Sequence, residues 1–205
     1  MSLDGFIAGP DQSPENPLGI GGEQLHGWVF PVRAWREAHG KEGGEDNESS
    51  RVVAEQVANV GATIMGRNMF GGHPGPWKRE SPWNGWWGKT PPFHHSVFVL
   101  THHARDPLHL EGGTTFTFVT DGIESALAQA RQAAGDKDIA LAGGARAAQQ
   151  YLAAGLVDEM ELSVVPILLG AGERLFDGVG TDLHGMKLVR TVAAPQVTHL
   201  KFARR

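Results

Sequence analysis

Asp138-Ile-Ala-Leu-Ala-Gly143-Gly144-Ala-Arg-Ala-Ala148 is the stretch on which the fold turns. A short apolar run, right for a buried strand, meets two glycines and then a run of helix formers. Glycine lets backbone N–H groups approach a ligand closely, and a helix N-terminus favours negative charge. Such a junction suits a pyrophosphate. It equally suits a tight strand–helix turn in which glycine only relieves crowding.

Working outward, the same alternation continues in both directions. Downstream, a helix runs through Ala154 to Gly155, a strand covers 159–169, and 183–193 with 196–203 form a hairpin around Ala194-Pro195. Upstream lie strand-like 96–101 and 114–120, then a helix from about Gly122 to Ala134 burying Ile123, Ala126, Leu127 and Ala130. Ala62-Thr-Ile-Met65 reads as a strand ending at Gly66-Arg67. The helix before it is capped by Asn47 or Ser49 and presents Val52, Val53, Gln56, Val57 and Val60. Residues 24–39 carry apolar residues at helical spacing, divided at Pro31, and 2–8 reads as a strand. Strands alternating with helices predict an α/β fold of three layers, α/β/α. Its sheet is mixed but mostly parallel, with a C-terminal antiparallel hairpin, in a single domain over 1–205.

Composition removes several classes of function. With 205 residues, 40% of them hydrophobic, the chain can bury a substantial core. A net charge of −5 gives no general attraction to nucleic acid or anionic membranes. The absence of cysteine excludes disulfides, thiol nucleophiles and the Cys-ligated zinc centre of nucleobase deaminases. No leader-like or membrane-length apolar run occurs, which points to the cytoplasm. The histidine pairs at 94–95 and 102–103 lack metal-ligand spacing, so no metal is expected. Residues 71–95 hold four of the six tryptophans and five prolines, too much indole for a passive linker. That loop is a lid or substrate-stacking surface, a dimer contact, or core packing.

Further motifs fall at strand ends. Met65-Gly66-Arg67-Asn68 is a second strand–Gly–helix junction, where an Arg fork suits phosphate. Thr101, His102 and Arg105 follow another strand with groups suited to a phosphate monoester. Leu169-Gly170-Ala171-Gly172-Glu173 matches part of the Rossmann fingerprint, but Leu175 replaces its third glycine and Arg190 stands where an acid belongs. A standard Rossmann site is therefore not expected.

Taken in order, Ser2–Gly9, Ala62–Arg67, Val97–Thr101, Ala142–Gly144, Leu156–Glu159 and Val165–Gly170 resemble the dihydrofolate reductase-like superfamily. The likeness is to the reductase domain of the bacterial riboflavin deaminase-reductase and its stand-alone relatives. That resemblance implies NADPH as hydride donor, a small heterocyclic or carbonyl-type substrate, and a homodimer. It also implies that Gly66, Arg67, Thr101 and His102 line the adenosine and 2′-phosphate end, with Asn68 and Arg105 beside them. Gly143, Gly144, Ala145 and Arg146 would cradle the pyrophosphate, Ile7 and Ala8 would flank the nicotinamide, and Gly170 and Gly172 would close the cleft. Asp4 is the candidate catalytic group at the reacting end; it also suits a turn cap beside Gly5.

In dihydrofolate reductase an acid on the helix before the Met-Gly-Arg strand binds the pterin. Here Ser49-Ser50 falls at that place, which argues against folate. A riboflavin-pathway pyrimidine reductase is one alternative, with Lys78, Arg79 or Lys89 as a second phosphate site. A non-catalytic nucleotide- or drug-binding protein on the same fold is another.

Overall fold

A computed structural model describes residues 1–78, 80 and 82–204. Arg79, named above for a second phosphate site, lies outside the described residues. In chain order the elements are β1 (Phe6–Ala8), α1 (Arg33–Ala38), α2 (Glu48–Ala58), β2 (Val60–Gly66), α3 (Arg67–Phe70), β3 (Ser96–Leu100), β4 (Leu108–His109) and β5 (Thr115–Val119). They continue with α4 (Ile123–Ala134), β6 (Asp138–Gly143), α5 (Ala145–Ala153), β7 (Glu159–Val164), β8 (Glu173–Arg174), β9 (Met186–Ala194) and β10 (Val197–Arg204). The α/β alternation expected from the sequence is present. The chain forms two compact units: Met1–Gln12, Leu18–Val57 and Gln149–Arg205 in one, Ser13–Pro17 and Ala58–Ala148 in the other.

The unit around Ala58–Ala148 holds a five-stranded sheet in the order β4-β5-β3-β2-β6. β5, β3, β2 and β6 are parallel, and only β4 is antiparallel to its neighbour. β3 is a near-continuous apolar run with Val97, Phe98 and Val99 all buried, as a strand covered on both faces requires, whereas β5 alternates threonine with buried phenylalanine. Met65, Phe70, Val97, Val99, Phe116 and Phe118 form the core, and Trp77, Trp83 and Trp87 pack against it. Of the roles left open for the Trp-rich loop, core packing is therefore one it fills. α4 lies on β2 and β3 through Ala126, Ala130 and Ala134, whose small side chains let the helix sit close.

The other unit contains a three-stranded antiparallel sheet, β7-β10-β9, and the short pair β1-β8. The C-terminal hairpin forms as expected, but β10 bonds to β7 rather than to a strand of the parallel sheet. β1 is shorter than expected. The Ser2 hydroxyl accepts the Phe6 N–H at 2.9 Å and Gly5 has φ +87°, so 2–5 is a turn. The helical pattern at 24–39 yields α1 only after Pro31. Asn47 caps α2, its Oδ1 accepting the Ser50 N–H at 3.0 Å, while Val57, expected inside, is 57% exposed. The buried face turns instead through Ser49, Ser50, Val52 and Val53.

Candidate functional site

After β2 the chain moves to one side of the sheet through β3 and β5, then returns to β6 on the other side of β2. The C-terminal ends of β2 and β6 therefore flank a switch point, the place where open α/β sheets bind ligands. Register puts Met65 beside Gly143 and Gly66 beside Leu100. Gly143 has φ +112°, a conformation that a side chain resists, and the Gly143–Gly144 peptide is cis. A Cβ at Gly66 would lie 3.2 Å from the Ala147 Cβ and 3.5 Å from the Gly144 nitrogen, so backbone approach is close there. At Gly144 an added Cβ would meet nothing within 4 Å. Open space thus stands directly before α5, whose Ala147 and Ala148 amides donate to the Gly144 carbonyl at 3.1 Å each. Ala145 is buried, and Arg146 and Asn68 are exposed. Sequence-expected Gly66, Gly143, Gly144 and Ala145 are brought together. The open space before the start of α5 fits an anionic dinucleotide middle.

Arg67 and Arg105 also lie in this unit, in an arrangement the sequence does not reveal. The Arg67 guanidinium donates to the Gly71 carbonyl and, at 2.9 Å, to the His73 carbonyl; it stacks 3.4 Å from the Trp77 ring centre. Arg105 donates to the Trp83 carbonyl and, at 2.7 Å, to Asn84 Oδ1, with its guanidinium 5.1 Å from the same indole. Trp77 Nε1 donates to the His103 carbonyl at 2.8 Å. Burial, and then the neighbouring charge of Arg105, lower the Arg67 pKa to about 10. Burial lowers that of Arg105 as well. Thr101 is buried, its amide bonded to Val119 and its Oγ1 accepting the His103 N–H at 3.2 Å; His102 is exposed.

In the other unit, Asp4 accepts the amide N–H groups of Leu169 at 3.1 Å and Gly170 at 2.8 Å. The Ser2 hydroxyl, followed by the Gly170 and Leu169 amides, outweighs desolvation and lowers the Asp4 pKa to about 2. This carboxylate is ionised at neutral pH and holds a turn. Phe6 and Ala8 of β1 point inward, and Ile7 lies on the opposite side of the strand. Gly172 has φ +127°, and a Cβ there would overlap the Ala8 carbonyl oxygen. Gly170, with φ +72°, faces open space. Asp4, Ala8, Gly170 and Gly172 are thereby gathered around β1 and β8.

Sequence reasoning missed a buried polar line in this unit. His199 is fully buried; its Nε2 lies 2.9 Å from Ser49 Oγ and its Nδ1 2.9 Å from Ser163 Oγ. The only hint was a pair of serines in place of apolar residues on α2. Among the described residues no three His, Cys, Asp or Glu side chains cluster as a metal site, and no helix is long and apolar enough to cross a membrane.

The RibD C-terminal domain family matches residues 1–200. The chain belongs to the RibD C-terminal domain family. That membership makes it a reductase-family chain, as the sequence resemblance implied. Among solved structures, a Shewanella sp. PV-4 protein named for riboflavin biosynthesis is 22% identical with a TM-score of 0.62, covering 100% of this chain and 95% of that one. Acinetobacter baumannii RibD, form 2, is 18% identical with a TM-score of 0.54, covering 98% of this chain and 55% of that one. The diaminohydroxyphosphoribosylaminopyrimidine deaminase/5-amino-6-(5-phosphoribosylamino)uracil reductase from Thermotoga maritima is 13% identical with a TM-score of 0.54, covering 100% and 54%. The chain thus spans about half the length of the latter two proteins. At these identities the likeness shows a shared fold. No curated protein sequence matches.

Proposed function

We propose that this chain is an NADPH-dependent reductase acting on a small heterocyclic or carbonyl-type substrate. The observation that carries the reading is the open space at Gly144, between close-packed Gly66 and the start of α5, at the switch point of the parallel sheet. The family match runs through both compact units, which supports treating them as one reductase domain. Gly143, Gly144, Ala145 and Arg146 would hold the pyrophosphate. Gly66, Arg67, Asn68, Thr101, His102 and Arg105 would serve the adenosine and its 2′-phosphate. Ile7, Ala8, Gly170 and Gly172 would frame the nicotinamide.

When bound, the nucleotide supplies a hydride to an electrophilic carbon. The chain's own residues bind, orient and exclude water. Asp4, being ionised, acts at the reacting end by positioning: its two oxygens fix the Leu169 and Gly170 amides and hence the turn leading to Gly172. A homodimer in the cytoplasm belongs to the same proposal.

Family membership favours a second reading, reduction of a phosphoribosylamino-pyrimidine of the riboflavin pathway. Lys78 and Lys89 are exposed and available for its phosphate. NADPH and NADH titrations, followed by oxidation assays with pyrimidine, pterin and quinone substrates, test both readings. Arg67→Ala weakens NADPH at least tenfold more than NADH, since a charge-assisted bond contributes about 1.5–3 kcal/mol. Equal losses refute the 2′-phosphate role. Tight binding with no turnover leaves a nucleotide-binding protein instead.

A further inference from the structure

Arg67 and Arg105 are half-buried and near enough for the charge of one to lower the pKa of the other. Among the described residues neither forms an ion pair. Their acceptors among the described residues are neutral: the carbonyls of Gly71, His73 and Trp83, and the Asn84 amide oxygen. The Arg67 Nε is buried without a partner. Those acceptors belong to one stretch of chain, and Trp77, within that stretch, stacks on Arg67 and ties itself to the His103 carbonyl. A phosphate monoester brings a negative charge and oxygens that match the planar guanidinium fork two at a time, neither of which a single neutral carbonyl offers. A phosphate monoester is therefore the better acceptor for this pair, but it arrives at donors already in use.

We propose that the stretch carrying Gly71, His73, Trp77, Trp83 and Asn84 is an internal strap that competes with a phosphate monoester for Arg67 and Arg105. The strap lowers affinity at this site until a ligand displaces its neutral oxygens, and Trp77 is the residue that latches it. This rests on the reductase reading only in taking the monoester to be the 2′-phosphate of the nucleotide. Affinity falls by the fraction of molecules in which the site is free, so a strap closed in about nine molecules of ten weakens binding about tenfold.

Calorimetric titration of wild type, Trp77→Leu and Asn84→Ala with 2′,5′-ADP tests the strap, with 5′-ADP as the control lacking the 2′-phosphate. Trp77→Leu tightens 2′,5′-ADP by roughly threefold to tenfold and leaves 5′-ADP unchanged. Asn84→Ala removes one exposed acceptor and gives a smaller gain of the same sign; it decides the question if Trp77→Leu fails to fold. Unchanged or weaker 2′,5′-ADP binding in the folded variants overturns the strap. NADPH and NADH titrated in parallel separate the two proposals. Tightened 2′,5′-ADP with neither dinucleotide bound keeps the strap and removes the reductase reading. NADPH oxidation with no tightening does the reverse.

Discussion

His199→Ala removes the centre of the Ser49–His199–Ser163 line, and its cost is set by what the two hydroxyls lose. Ser49 is 3% exposed, so water cannot replace its partner, and an unpaired buried hydroxyl costs about 1–3 kcal/mol. Trp28 packs edge-on against the imidazole with ring centres 5.0 Å apart, and deleting that ring leaves a cavity costing roughly 2 kcal/mol. The sum, about 3–5 kcal/mol, is a large share of the roughly 5–15 kcal/mol that holds a typical domain folded. Urea unfolding of wild type, His199→Ala, Ser49→Ala and the double variant measures it. Coupling between Ser49 and His199 emerges at about 1–2 kcal/mol. The pH dependence is a second readout. Burial, and then the positive charge of Arg190, lower the His199 pKa. As pH falls past about 6.5 the unfolded chain takes up a proton that the folded chain refuses. The stability from neutral His199 is thus complete above that value and is lost as pH falls toward the folded pKa, by at most about 1.4 kcal/mol per unit. His199→Leu abolishes this acid slope. A cost below about 1 kcal/mol for His199→Ala, or the same slope in His199→Leu, refutes the reasoning.

Two further outcomes concern the surroundings of β1 and β8. Gly172→Ala forces a Cβ into the Ala8 carbonyl at φ +127° and destabilises the protein by more than about 2 kcal/mol, whereas Gly178→Ala, at φ +73° in open space, costs only about 1–2 kcal/mol. Equal denaturant midpoints for the two would show that the β1–β8 contact is not tight. Asp4→Asn speeds hydrogen exchange at the Leu169 and Gly170 amides at pH 7. In wild type the carboxylate's contribution is complete above its unfolded pKa of about 3.9 and is lost as pH falls toward about 2. If the variant's amides remain as protected as wild type, Asp4 does not hold that turn.

What was legible locally is what depends on local sequence. The strands β2, β3, β5 and β6 announce themselves as apolar runs ending in glycine, threonine or polar residues. The Gly143-Gly144 junction falls where Asp138–Ala148 places it, because a strand, a pair of glycines and a helix start are consecutive in sequence. Long-range partners were not legible. The hairpin could be read at Ala194-Pro195, but its pairing with β7 depends on which strand edge is free in three dimensions. Ser49 and Ser50 look like poor helix-interior residues until His199, 150 positions from Ser49, supplies the reason one of them is buried. Asp4 reads from the sequence as a catalytic candidate or a turn cap beside Gly5, yet its carboxylate accepts from amides 165 and 166 positions away.

The arginines carry the same lesson into function. Arg33, Arg51, Arg190 and Arg204 have carboxylates within reach, while Arg36 and Arg174 donate to backbone carbonyls. Arg67 and Arg105 are more buried than an ordinary surface pair, stand close enough to repel one another, and form no ion pair among the described residues. Burying two like charges on neutral acceptors alone is unfavourable, and Glu80, the acidic residue of the intervening loop, forms no ion pair with either arginine among the described residues. Under the proposed function, the phosphate of the nucleotide supplies the counter-charge that this pair lacks among the described residues. An anionic ligand satisfies that electrostatic deficit, and an uncharged substrate alone does not.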